Sequence, residues 1–299
     1  MGILEWGKIL TAMVTPFDKN GDVNLKQVEN LAKHLYKGNT DGLVLWGTTA
    51  ESPTLSQVEK ENIFRVVKNV VGNKGSIIVS TGTNDTGITI ENTKKAQELG
   101  ADGVMVIVPY YNKPSQRGIY EHFKAVANST DLPVLIYNVP GRTGTNMSIE
   151  TIEQLAKINN IKAIKESTGD VSRVIDIRNV VPEDFLIYSG DDSLTIPFLS
   201  VGGDGVISVA SHIVGQEMKA MIDLFLEGNL EQAIKVNSVL KPLMDAAFYD
   251  VNPVPIKIML NKVGLDVGGV RLPLVMSAKD TENKILQSLE TYLQIKVSN

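Results

Sequence analysis

The stretch "DGVMVIVPYYNKPSQRGIYEHFKAVANSTDLPVLIYNV", residues 102–139, decides the fold. It opens on an apolar, β-branched run of strand length, "DGVMVIVP" (102–109), and passes through a helix-like segment around "YEHFKAV". It closes on a second such run, "PVLIYNV" (133–139). Strands that are apolar on both faces are buried on both, which is the habit of parallel sheets, and parallel neighbours are joined by a helical crossover.

Working outward, the same unit recurs along the chain. The other runs are "KILTAMV" (8–14), "DGLVLWG" (41–47), "GSIIVST" (75–81), "IKAIKES" (161–167), "FLIYSGD" (185–191) and "GVISVAS" (205–211). Their starts lie 20 to 34 residues apart, room for a strand, a helix and two short loops. Eight such units predict an α/β protein of the (β/α)8 barrel type. A doubly wound open sheet needs fewer strands, and no Gly-rich phosphate fingerprint supports one here.

The helices between the strands are legible too. "NLKQVENLAKHLYKGN" places Leu25, Val28, Leu31, Ala32 and Leu35 on one face. "SQVEKENIFRVVKNV" opens with Ser56 and Glu59 at capping-box spacing. After the eighth run, "VGQEMKAMIDLFLEGN", "LEQAIKVNSVLKPLMDAAF", "NPVPIKIMLNKVG" and "SAKDTENKILQSLETYLQ" all read as helices. The expected division is a catalytic barrel over 1–228 and a C-terminal helical region over 229–299.

Composition excludes several chemistries. A net charge of −5, without a Lys/Arg-rich block, argues against nucleic acid as a partner. No run approaches the length of a membrane span and the N-terminus lacks a signal-peptide pattern, so a cytoplasmic protein with no membrane partner is expected. With no cysteine there is no thiolate nucleophile and no Cys-ligated zinc. The three histidines, His34, His122 and His212, are widely separated, and the first two read as partly exposed helix residues. Carbonyl chemistry here is expected to use an amine rather than a metal.

Barrel enzymes carry their chemistry at the C-terminal ends of the strands. Those ends read "GTTAES", "PYYNKPSQRG", "YNVPGRT", "KES" and "SGDD". Lys165 is the conspicuous residue, because lysine is almost never buried without a partner or a task. Alternation puts Ile161, Ala163 and Lys165 on one face of the sixth strand and Lys162, Ile164 and Glu166 on the other. Parity alone leaves open which face lines the lumen. On the inner face, desolvation would lower the amine's pKa toward roughly 7–8 and let it attack a ketone. On the outer face, Lys165 would snorkel to the rim. Tyr137, closing the adjacent strand, is a candidate proton shuttle. Thr48 and Thr49 offer hydroxyls to a carboxylate, and Arg142 a bidentate grip on one.

The set "GTTAESPTL", "PYYNKPSQRG", "YNVPGRTG", "IKES" and "YSGDD", in that order, resembles the 4-hydroxy-tetrahydrodipicolinate synthase (dihydrodipicolinate synthase) family of pyruvate-dependent class I aldolases. The similarity runs from "ILTAMVTPF" to "NPVPIK" and "VRLPL", most of the chain. It implies a (β/α)8 barrel with a C-terminal helical region, condensing pyruvate with aspartate 4-semialdehyde on the lysine pathway. No metal or organic cofactor is implied. By the same resemblance, Lys165 would form the Schiff base, Tyr137 would donate and accept protons, and Thr49 would bind the pyruvate carboxylate. Thr48 and Tyr111 would complete a proton relay, with Tyr111 supplied by a neighbouring subunit of a homodimer or tetramer. Arg142 would receive the aldehyde's carboxylate, while Gly190 and Ile207 would line the pocket around the lysine.

The chain departs from the family pattern in places. Ala50 stands where many members have glycine and would be strained if the position needed positive φ. Trp46 is bulky enough to narrow the region of the second strand. Lysine-inhibited members carry histidines at the positions of Gln57 and Lys60 and often glutamate at Ile88, so weak or absent feedback by lysine is expected. Two alternatives stay open on the sequence. One is a sister aldolase acting on N-acetylneuraminate or a 2-keto-3-deoxy sugar acid, relatives that generally lack Arg142. The other is a catalytically dead barrel serving as a ligand sensor.

Overall fold

The computed structural model describes residues 6–298. Eight strands follow one another around a closed barrel: β1 (Ile9–Ala12), β2 (Gly42–Leu45), β3 (Ser76–Ser80), β4 (Gly103–Ile107), β5 (Val134–Asn138), β6 (Ile161–Glu166), β7 (Leu186–Ser189) and β8 (Gly205–Ser208). Each lies inside its predicted run, trimmed where the terminal residues leave the ladder to form loops. The helices are α1 (Leu25–Lys37), α2 (Gln57–Val71), α3 (Thr86–Leu99), α4 (Gln116–Ala127), α5 (Pro140–Thr143), α6 (Ile149–Ala156), α7 (Ser172–Val180), α8 (Thr195–Ser200), α9 (Ser211–Leu226), α10 (Leu230–Ala246), α11 (Val254–Lys262) and α12 (Lys279–Ser298). The fold is a (β/α)8 barrel with a C-terminal helical region. None of these helices is long and apolar enough to cross a membrane.

Two compact units divide the chain. The first comprises Met1–Lys8 and Ser76–Ile207. Within it β5 and β6 pair in parallel, and an irregularity between Val134 and Leu135 advances β6 by one residue, so that Tyr137 comes opposite Lys165 and Asn138 opposite Glu166. The helix α4 buries Ile119, His122, Phe123 and Val126, an i, i+3, i+4, i+7 stripe. His122 is therefore a core residue rather than a partly exposed one. Its Nδ1 lies 2.9 Å from the Thr86 hydroxyl and its ring meets Phe123 edge-on. Burial pushes its pKa down to about 4.

The second unit comprises Ile9–Gly75 and Ser208–Asn299. On α1 the expected stripe of Val28, Leu31, Ala32 and Leu35 is buried, but Leu25 is exposed, because it stands in the first turn, beyond the packed part of the face. The capping box of α2 forms as read: the Ser56 N–H donates to Glu59 Oε2 at 2.8 Å and the Glu59 N–H to Ser56 Oγ at 3.3 Å. Helix α9 packs against β1, α1, α10 and α11, and α12 closes on α10 and α11.

His212, near the start of α9, is fully buried and neutral. Its Nε2 accepts the Val14 N–H at 3.2 Å, which requires Nδ1 to carry the proton it gives to the Val209 carbonyl at 2.8 Å. Burial holds its pKa down to about 4, against an ordinary 6.5. A depressed imidazole pKa means that the unfolded chain takes up the proton first. The stability due to neutral His212 is complete above 6.5 and is lost as pH falls through 4, in total about 3 kcal/mol. Urea unfolding between pH 7 and pH 4 is expected to show this loss, and His212→Gln a shallower slope. An unchanged slope in the variant would exclude His212 as the titrating group.

Candidate active site

In the first unit the site is built on β5 and β6. The direction of each side chain on β6 can be read from its neighbours. Lys162 pairs with Asp184 at 3.1 Å on the surface, and Glu166 accepts from Arg173 Nε of α7 at 3.4 Å, so even-numbered residues face the helices. Lys165 faces the other way, into the barrel, and is only 7% exposed. Its Nζ stands 4.5 Å from the centroid of the Tyr137 ring, over the π face. No hydrogen bond or ion pair engages that ammonium group among the described residues.

Register places a tyrosine on each side of Lys165, Tyr137 on β5 and Tyr188 on β7. Their hydroxyls differ. The Tyr188 hydroxyl donates to the Gly7 carbonyl at 2.9 Å. The Tyr137 hydroxyl makes no hydrogen bond among the described residues, which leaves it to exchange protons with whatever the lysine holds. Glu166, fully buried, fixes the strand ends: it accepts from Asn138 Nδ2 at 3.0 and 3.2 Å and from the Thr168 N–H at 2.9 Å. Asn138 in turn accepts the Met147 N–H at 3.1 Å.

Gly190 closes round the lysine stem. A Cβ there would lie 1.7 Å from Ser167 Oγ and 3.0 Å from Lys165 Cε, so a side chain at 190 would displace both. Ile207 is buried on β8. Arg142, in α5 directly after β5, is exposed, and no side-chain partner occupies its guanidinium among the described residues. Tyr111, in the loop after β4, is 88% exposed and holds a φ of 71°, which is uncommon for a bulky residue and strained.

Thr48 and Thr49 belong to the second unit. They form a 3-10 turn with Ala50 after β2, and a second such turn covers Ser52–Thr54. Ala50 is not in the left-handed region. The positive φ values fall on its neighbours, 59° at Trp46 and 57° at Glu51, so the expected strain at Ala50 is absent. Trp46 is turned toward α2. Its ring packs on Phe64 of α2 at 6.2 Å, and its Nε1–H donates to the Lys60 carbonyl at 3.1 Å. Thr49 is buried, and its Oγ1 accepts from Asn252 Nδ2 at 2.9 Å. The Thr15 hydroxyl donates to the Ala50 carbonyl at 2.7 Å.

Beneath this loop lies a buried ionic cluster that the sequence reading missed. Glu51 and Lys257 pair at 2.8 Å with side chains 1% and 0% exposed. Lys257 Nζ also donates to the Gly269 carbonyl at 2.6 Å, and the Arg271 N–H donates to Glu51 Oε2 at 2.9 Å. The Phe17 ring meets two cations, its centroid lying 4.2 Å from Lys257 Nζ and 4.5 Å from Arg271 Cζ. Arg271 grips Glu59, which holds that carboxyl down to about 2. Burial pushes Lys257 down to about 8, with Glu51 pulling the other way. "NPVPIK" and "VRLPL" were visible as motifs, but nothing in them points to partners more than 200 residues distant in sequence.

Of the positions that depart from lysine-inhibited members, Gln57 and Lys60 belong to the second unit and Ile88 to the first. In the second, Gln57 is exposed and burial pushes the pKa of Lys60 down. In the first, Ile88 is half exposed. Among the described residues no group of three acidic or histidine side chains is placed to hold a metal ion.

Comparison with known proteins agrees with this geometry. A 4-hydroxy-tetrahydrodipicolinate synthase of Moorella thermoacetica is 49% identical over 287 residues, covering 96% of this chain and 98% of its own. A crystal structure of dihydrodipicolinate synthase from Bacillus anthracis superposes with a TM-score of 0.94 at 45% identity, over 96% of this chain and 98% of that one. The enzyme of Cyanidioschyzon merolae, solved with lysine bound, gives 0.94 at 44% identity over the same shares. The family profile described as "Dihydrodipicolinate synthetase family" matches residues 5–292. With the barrel, the inward lysine and its tyrosine, these matches establish that the chain belongs to the dihydrodipicolinate synthetase family.

Proposed function

We propose that this protein condenses pyruvate with L-aspartate 4-semialdehyde to give 4-hydroxy-tetrahydrodipicolinate, the diaminopimelate and lysine precursor. The observation that carries the reading is Lys165: an amine buried in the barrel over the face of Tyr137, where neither its ammonium nor the Tyr137 hydroxyl has a hydrogen-bond or ionic partner among the described residues.

Lys165 Nζ adds to the keto carbon of pyruvate, and loss of water gives an iminium. The iminium is the electron sink, so the methyl carbon can surrender a proton and become a nucleophilic enamine. That carbon attacks the aldehyde. The amine of the second substrate then displaces Lys165 at the former keto carbon and closes the ring, returning the enzyme unchanged. Because the iminium stabilises the carbanion, the cycle needs no metal or organic cofactor.

Tyr137 gives and takes the protons of carbinolamine formation and dehydration. Thr48 and Tyr111 relay them, and Thr49 binds the pyruvate carboxylate. Arg142 receives the carboxylate of the aldehyde, while Gly190 and Ile207 shape the pocket round the imine. The strained, exposed Tyr111 supports a site completed by a second copy of the chain, hence a homodimer or tetramer. The catalytic barrel then spans 1–228 and the helical region 229–299. Arg142 favours this aldehyde over the sugar-derived substrates of sister aldolases.

The test is borohydride reduction in the presence of pyruvate, with intact mass and peptide mapping, followed by assays with aspartate 4-semialdehyde and with sugar aldehydes. An adduct on Lys165 and turnover confined to the semialdehyde are expected. No adduct in folded protein would favour a sensor, and turnover of sugar aldehydes alone a sister aldolase.

Lysine is expected to inhibit weakly or not at all. Lys60 brings a cation to a site that must accept an ammonium, and Ile88 offers that ammonium no anion. Inhibition reaching completion at sub-millimolar lysine would overturn this.

A further inference from the structure

Asn252 opens the "NPVPIK" motif, to which the chemistry above gives no task. It is buried, and its Nδ2 donates to Thr49 Oγ1 at 2.9 Å across 203 residues of sequence. Its Oδ1 is also buried and has no hydrogen-bond partner among the described residues. A buried amide with half its polar capacity unused adds little to stability, since the unsatisfied oxygen offsets the bond that the nitrogen makes. The contact with Thr49 has to be understood through what it does to the hydroxyl.

A threonine hydroxyl has one hydrogen to give and two lone pairs to receive with. Asn252 occupies a lone pair. Thr49 is 3% exposed and makes no other side-chain hydrogen bond among the described residues, so the hydrogen and one lone pair remain to offer. A carboxylate accepts only. With the amide nitrogen turned toward it, the Thr49 hydroxyl is set as a donor. With an acceptor in that place, the hydrogen would be consumed inside the protein and the lone pairs would face the anion.

We infer that Asn252 is a positioning residue for substrate binding, fixing the polarity of the Thr49 hydroxyl so that it donates to the carboxylate of the 2-oxo acid. This rests on the assignment of Thr49 as the carboxylate-binding residue. It predicts an effect on pyruvate capture that exceeds any effect on the later chemistry.

The experiment measures borohydride trapping as a function of pyruvate concentration in the whole protein. Asn252→Asp keeps the shape but replaces the donor by an acceptor and adds a negative charge. Its half-saturating pyruvate concentration is expected to rise about 10- to 100-fold near pH 8. It should fall back as the pH is lowered and the new carboxyl becomes a donor, with the adduct yield at saturation unchanged. Asn252→Ala is expected to give a smaller rise, about 3- to 10-fold. Folded Asn252→Asp that saturates like wild type at every pH would overturn the inference and leave the proposed function standing. An absence of adduct in wild type would overturn both. If Asn252→Asp fails to fold, Asn252→Ala is combined with Thr49→Val. A residue acting through Thr49 has no further effect on half-saturation in that background, and an undiminished effect would overturn the inference.

Discussion

Lys165→Met is expected to form no borohydride-stable adduct with pyruvate, and its kcat to fall by on the order of 10^4- to 10^6-fold. Methionine matches the length and apolar character of the lysine stem, so the Gly190 and Ser167 packing is retained and the variant should fold. Lys165→Arg should be equally inactive, since a guanidinium stays protonated and cannot add to a ketone. Tyr137→Phe separates the nucleophile from the proton shuttle. It leaves the ring on which Lys165 Nζ rests and removes only the hydroxyl. The adduct should still form, slowly, while kcat drops about 10^2- to 10^4-fold. An adduct on Lys165→Met would move the nucleophile elsewhere. Full activity in Tyr137→Phe would pass the proton transfers to another group, and Tyr188 is a poor candidate because its hydroxyl is tied to Gly7.

That contrast between two tyrosines flanking one lysine could not be read from the sequence, although the fold could. Eight apolar runs at βα spacing leave little choice of architecture, and each run holds its strand. The orientation of Lys165 was different. Alternation gives two faces but not which is inner, and the irregularity between Val134 and Leu135 sets the register on which the Tyr137 pairing depends. The surface pair Lys162–Asp184 and the helix-facing Glu166 resolve it, and both need tertiary neighbours. His122 is the reverse case. Its place in the stripe Ile119, His122, Phe123, Val126 was available in the sequence, and burial follows from it. Asn252, Lys257 and Arg271 carried no such signal, because the partner side chain of each, Thr49 or Glu51, stands more than 200 residues away.

Lys257→Met is expected to destabilise the protein by about 3–5 kcal/mol at neutral pH, the cost of leaving Glu51 charged and buried without its cation. Glu51→Gln should also be destabilising, with a pH dependence set by Lys257. In Lys257→Met the stranded group is the buried carboxylate of Glu51, left with the Arg271 N–H but without its cation. In Glu51→Gln the stranded group is the amine. Lys257 already titrates at about 8 against an ordinary 10.5, and loss of Glu51 removes the influence that holds it up. The unfolded chain binds more protons through that window, so the variant regains stability as pH climbs toward 10.5. The double variant has neither charge to strand, and methionine with glutamine should be less destabilising than Lys257→Met alone. Urea unfolding of the three variants from pH 5 to pH 9.5 decides the matter. A Glu51→Gln profile that stays flat with pH would mean that the cluster acts by packing around Phe17 rather than by charge. A Glu51→Gln profile that climbs with pH would identify the Glu51–Lys257 pair as the electrostatic anchor of the loop that carries Thr48 and Thr49.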